Sequence, residues 1–172
     1  GTPTAFSPDD LKLVIGAVKK YLPLANDCEI TVEGRIHGFT DEKIEAALEA
    51  GANRFSLGVQ TFNTDVRRSM MRVDDRDTIL ARLDKLCSYD NSSVVMDLIY
   101  GFPGQTMDVW EDDVKTAASL PLDGIDCYQL NVFERSPLAK YVANGKLPPA
   151  ADTAQKADMF AMSVELLTNA HW

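Results

Sequence analysis

Cysteine is scarce: three residues in 172, Cys28, Cys87 and Cys127, an odd number, far apart, each set in an apolar segment. That excludes a disulfide framework and any cysteine-only metal motif, and it predicts three buried free thiols. Basic residues are also short, 17 lysines and arginines against 26 acids, for a net charge of −9. Phosphates would be repelled at that balance, so an extended nucleic-acid or anionic-membrane surface is excluded, and any basic patch must be local. No apolar run approaches the roughly 20 residues of a membrane span, and the N-terminus has no charged region followed by an apolar one. A soluble, cytoplasmic protein is expected. The two histidines, His37 and His171, read as exposed or terminal rather than as ligands. The turn Gly101-Phe102-Pro103-Gly104-Gln105 lacks phosphate-loop spacing and a following lysine, which argues against a nucleoside triphosphate site.

What is present is an ordinary globular balance, 45% hydrophobic and 25% charged. A chain of this size buries about 70% of its unfolded surface, enough for one domain without staples. Helix-period and strand-like segments alternate. Ser7-Pro8-Asp9-Asp10 starts a helix over 8–21, with Leu11, Val14, Ile15 and Val18 on one face. Residues 29–34 read as a short strand ending at glycine. Thr40-Asp41-Glu42 opens a second helix that Gly51 ends. Residues 54–60 form the second strand, and a polar loop is expected from 61 to 75. Ile79, Leu80, Leu83, Leu86 and Cys87 give a third helix. Residues 94–99 are a third strand, Thr106 caps the next helix, residues 125–132 make the fourth strand, and a last helix carries Met159, Phe160, Val164 and Leu167. Near-continuous apolar strands joined by helices predict an α/β fold with a parallel sheet. Trp110 and the Met70-Met71 pair are read as packing.

In such a fold the ligand lies at the carboxyl ends of the strands. Glu33 ends strand one, Gln60 ends strand two, and Asp97 interrupts strand three on the same face as Val95 and Ile99. A carboxylate in such a place is costly unless paired or liganded. Arg72, in the loop after strand two, brings a guanidinium to the same rim. Two carboxylates and an amide suit ribose hydroxyls or an ammonium, and the arginine suits a carboxylate, so a small zwitterion joined to a nucleoside fits.

The opening Gly1-Thr2-Pro3-Thr4, the strand ending in Glu33, the run from Gly51 to Asn63 (GANRFSLGVQTFN), and the run from Asp97 to Thr106 (DLIYGFPGQT) resemble the radical S-adenosylmethionine enzymes of the oxygen-independent coproporphyrinogen III oxidase group. The segments Thr31-Val32-Glu33-Gly34-Arg35 and Asp123 to Asn131 are most similar to the heme-utilisation branch, which includes anaerobilin synthases. The resemblance implies that Glu33, Gln60, Arg72 and Asp97 contact S-adenosylmethionine and that Ile99 packs on the adenine. It implies a partial (β/α)6 barrel of the TIM type, of which residues 1–172 supply strands three to six and lack strands one and two. The family's CxxxCxxC cluster motif lies upstream of a Gly-Gly-Gly-Thr-Pro segment whose last glycine is Gly1. The [4Fe-4S] ligands are thus absent, and the chain is expected to be a fragment of the radical SAM core domain, inactive alone, without the C-terminal substrate domain. The implied parent cleaves S-adenosylmethionine reductively and acts on heme or another porphyrin. It would take electrons from a donor such as a flavodoxin-type protein. A coproporphyrinogen III oxidase and a non-catalytic heme chaperone are the alternatives. Loss of two strands would leave the first strand as an open edge, so self-association is expected.

Overall fold

A computed structural model describes residues 2–172. After a 3-10 turn at Pro3–Ala5 the elements are α1 (Pro8–Tyr21), β1 (Thr31–Gly34), α2 (Asp41–Ala50), β2 (Arg54–Gln60), α3 (Thr64–Ser69), α4 (Arg76–Cys87), β3 (Ser93–Tyr100), α5 (Met107–Ala118), β4 (Gly124–Gln129), α6 (Pro137–Ala143) and α7 (Thr153–Asn169). The four strands form one parallel sheet in the order β1-β2-β3-β4. The α/β class read from the alternation is the observed one.

One face of the sheet is the core. Phe55, Leu57 and Val59 of β2 and Val94, Met96 and Leu98 of β3 pack with Ile44, Leu83, Trp110 and Met159 from the helices. Each large apolar side chain so buried contributes about 1.5–3 kcal/mol, which is why the β-branched and aromatic runs select this face. Trp110 is fully buried and its indole donates to the Met159 carbonyl at 2.8 Å, tying α5 to α7. Local chemistry fixes the helix starts: Ser7 accepts from the Asp10 amide, Asp75 from Thr78, Thr106 from Val109, and Asp152 closes a capping box with Gln155. Among the described residues no helix is long and apolar enough to cross a membrane.

Several expectations need correction. The stretch 61–75 is not all loop, because α3 forms there behind an Asn63 cap, with Val66 as its buried apolar residue. A six-residue helix gives too few turns for a visible period. The helix α6 was also missed, although Ser136-Pro137 is a cap followed by proline at the first position. The first strand begins at Thr31 rather than at 29, because the Asn53 side chain, not a ladder, accepts from the Ile30 amide. The fourth strand ends at Gln129; the Leu130 amide still donates to Tyr100, and then the chain leaves the sheet. Thr40 stands at the head of α2 but its side chain makes no capping bond. Met71 is not a packing residue: it is 76% exposed on a turn with positive φ. The cysteines are free but half-buried.

Candidate functional site

The other face of the sheet carries the polar residues. The parallel register sets Glu33 beside Ser56, Gly58 beside Asp97, Asp97 beside Asp126, and Ile99 beside Tyr128. Three carboxylates therefore share one band. The Asp97 carboxyl is held above its ordinary range by burial first and by the Asp126 carboxylate second, while the Ser56 hydroxyl, 3.4 Å away, opposes the rise.

Gln60 sits on this face at a local distortion. In register it stands beside Leu98, whose side chain belongs to the core, but a bulge between Gly58 and Gln60 interrupts the ladder. Gln60 has φ 75°, a left-handed conformation that non-glycine residues rarely adopt. The turn sends its amide back over Gly58, and its Oε1 is buried with no hydrogen-bond partner. A buried acceptor left unpaired costs about 1–3 kcal/mol, so it marks a place where a donor from a ligand would be rewarded.

Arg72 arrives from beyond α3, where the chain turns back at Met71 and the Arg72 amide donates to the Arg67 carbonyl. Its Nη1 donates to the Gly58 carbonyl at 2.9 Å. Burial, then repulsion from Arg67 and Arg35, lowers its guanidinium to about 10, which leaves it charged at neutral pH. Among the described residues no carboxylate forms an ion pair with it.

Glu33, Gln60, Arg72 and Asp97 line one polar hollow of ≈ 170 Å³ together with Ser56 and Gly58. The four rim residues read from the sequence are thus brought together. Ile99 does not line the hollow; it lies half-buried one pleat further along β3, on the same face. Pockets for whole small molecules run from about 300 Å³, so the hollow has room for part of one, and the same sheet face continues past it toward Ile99 and Tyr128. A larger cavity of ≈ 510 Å³ lies between the 101–107 segment and the start of α7, but no ionisable side chain lines it. The smaller one is lined by Glu33, Arg72 and Asp97.

Sequence reasoning missed the residues that hold this site in shape. Ser56 and Gly58 were legible from period-two alternation with Gln60. Arg67, Asp113 and Gln105 were not, because each sits in a short helix, a helix face or a turn with no pattern to set it apart. Arg67 and Asp113 are fully buried, and Gln105 nearly so. Gln105 accepts from the Gly101 and Phe102 amides and donates to Asp113 and to the Ile99 carbonyl.

The sequence profile of the Radical SAM superfamily matches residues 1–117. The chain is 42% identical over all its 172 residues to an anaerobilin synthase of Escherichia coli O157:H7, covering 38% of that protein. It is 29% identical over 96% of its length to the heme chaperone HemW of Bacillus subtilis (strain 168), covering 44% of it. Among solved structures it superposes on the radical SAM enzyme coproporphyrinogen III oxidase (HemN) of Escherichia coli with a TM-score of 0.85, at 26% identity, over 99% of this chain and 39% of that one. The chain spans under half the length of each of these relatives. The match over residues 1–117 and the superposition on HemN agree, and the chain belongs to the radical SAM superfamily.

Proposed function

We propose that the hollow is an S-adenosylmethionine site and that the chain is the part of a radical SAM core domain, a partial (β/α)6 barrel, that holds this molecule. The observation that carries the reading is the buried, unpartnered Oε1 of Gln60 beside an arginine with no carboxylate of its own. A ligand with paired hydroxyls, an ammonium and a carboxylate would satisfy all of these groups at once. Arg72 takes the methionyl carboxylate, Gln60 and Asp97 the ribose, Glu33 the ribose or the amino group, and Ile99 the adenine. S-adenosylmethionine supplies, on one-electron reduction, the oxidising group that attacks the substrate.

Superfamily membership implies a [4Fe-4S] cluster as well, and this chain's thiols do not fit one. Cys28 precedes β1, Cys87 ends α4 and Cys127 lies in β4, and burial pushes the Cys87 and Cys127 thiols up to about 11. Cluster ligands are closely spaced thiolates. The reading therefore places the cluster on another part of a longer protein, and reduction by a flavodoxin-type donor with it. Three free cysteines agree with a cytoplasmic setting.

The substrate reading is heme or another tetrapyrrole, supported by 42% identity to the anaerobilin synthase against 29% to the heme chaperone. The full-length protein, cluster-loaded and supplied with reductant, S-adenosylmethionine and heme, should consume heme and release an altered tetrapyrrole detectable by mass spectrometry. Heme bound and returned unchanged would favour the chaperone reading. Turnover of coproporphyrinogen III in place of heme would favour the oxidase.

A further inference from the structure

The left-handed conformation of Gln60 is the most strained feature of the site, and strain of that kind persists only where the surroundings over-determine it. Two fully buried charged side chains do so here. A single nitrogen of Arg67, Nη1, donates to the Val59 carbonyl at 2.6 Å and to the Thr61 carbonyl at 3.0 Å, the residues on either side of Gln60. Its Nε donates to the Asp74 carbonyl at 2.7 Å, just past Arg72. From α5 the Asp113 carboxylate accepts from the Thr61 hydroxyl and from the Phe62 amide, each at 2.7 Å. The same carboxylate takes a bond from Gln105, whose other contacts bind the end of β3, where Asp97 and Ile99 sit. Buried charges are costly, and hydrophobic residues of similar volume commonly fill such places at no loss of stability. Arg67 also pairs with the Asp74 carboxylate at 3.8 Å, and both side chains direct hydrogen bonds onto residues 59–62.

We propose that Arg67 and Asp113 are positioning residues that clamp the backbone on both sides of Gln60 and hold its carboxamide in the hollow, ready to read a ribose hydroxyl. The identity of that ligand rests on the function proposed above; the clamp itself does not. Arg67 fixes the carbonyls of Val59 and Thr61, and Asp113 anchors Thr61 and Phe62, so Gln60 has no route to an ordinary extended conformation without breaking a buried bond to a charge. Gln105 carries the same carboxylate to the neighbouring strand end, so the two ends that bear Gln60 and Asp97 are set relative to one another.

The test uses the full-length protein and the variants Arg67→Lys, Asp113→Asn and, as the mildest, Thr61→Val, with Gln60→Ala as reference. Affinity for S-adenosylmethionine is measured against that for its 2′-deoxyribose analogue. The ratio is insensitive to the fraction of protein folded, since unfolding lowers both affinities alike. Wild type should prefer the ribose form about three- to ten-fold, the worth of one hydrogen bond. Folded clamp variants should lose as much of that preference as Gln60→Ala does, and Asp113→Asn combined with Gln60→Ala should lose no more than either alone. A crystal structure of Thr61→Val or Asp113→Asn gives the ligand-independent readout: Gln60 should leave positive φ. Folded variants that keep both positive φ and the ribose preference overturn the clamp. If wild type binds neither nucleoside, the ligand reading fails while the φ readout still decides the clamp.

Discussion

The side chain of Gln60 lies across Gly58 so closely that a Cβ built on Gly58 would stand 2.5 Å from Gln60 Nε2. A side chain at position 58 would therefore push the Gln60 carboxamide aside, a constraint that comes from this contact and not from the glycine's own backbone. Gly58→Ala should leave the fold intact and displace the carboxamide, weakening S-adenosylmethionine binding about three- to ten-fold for one lost hydrogen bond. Calorimetric titration beside thermal unfolding checks it. Unchanged affinity would mean that Gln60 faces no ligand.

Asp113 carries a pH signature. Burial holds its carboxyl at about 6, against the hydrogen bonds from Thr61, Phe62 and Gln105; Asp112 on the same helix adds to the rise, and Arg67 from α3 is the nearby cation. An acid raised in the folded state keeps a proton that the unfolded chain releases, so between about pH 4 and 6 its contribution to stability falls as pH rises. Asp113→Asn lacks that dependence. From pH 5 to pH 7, wild type should lose stability relative to the variant in thermal unfolding. A difference constant with pH would contradict the raised value.

Much of this architecture was legible in the sequence because it rests on patterns. Near-continuous apolar strands and capped helices follow from period and cap chemistry, and the site residues Glu33, Gln60 and Asp97 stood out as polar groups at strand ends. Alternation along β2 places Gln60 on the face of Ser56 and Gly58, but it does not show the bulge that offsets Gln60 against β3 or the left-handed turn that folds its carboxamide back over Gly58. That turn depends on Arg67 and Asp113, which are remote in sequence and ordinary in context. The short helices α3 and α6 escaped because six or seven residues bury too little to impose a period.

The sheet has two edge strands among the described residues, β1 and β4. The 3-10 turn covers the end of β1, where the Thr4 hydroxyl accepts from the Arg35 amide, but Thr31 to Glu33 remain without a strand neighbour on that side. Unpaired strand edges pair between chains. The 172-residue chain alone should sediment with a mass that rises with concentration. A constant monomer mass across the range would show these edges to be protected.

The proposed function puts the cluster outside this chain, whose cysteines, Cys28, Cys87 and Cys127, lie far apart in sequence. Anaerobic treatment of the 172 residues with iron and sulfide, then dithionite and S-adenosylmethionine, should give neither a four-iron absorption spectrum nor 5′-deoxyadenosine. Appearance of both would overturn the view that the chemistry needs another part of a longer protein.

The central claim is that the hollow binds S-adenosylmethionine through Arg72, and titration of the full-length protein tests it most directly. A planar guanidinium can hold a carboxylate with two bonds and an ammonium cannot, and hydrogen bonds to charged groups are worth about 1.5–3 kcal/mol. Arg72→Lys should weaken binding about ten-fold and Arg72→Ala further. Because the Arg72 guanidinium titrates near 10, the wild-type affinity should carry no contribution from its ionisation between pH 7 and 8.5. Equal affinities for wild type and both variants, or no binding to wild type, would contradict the account.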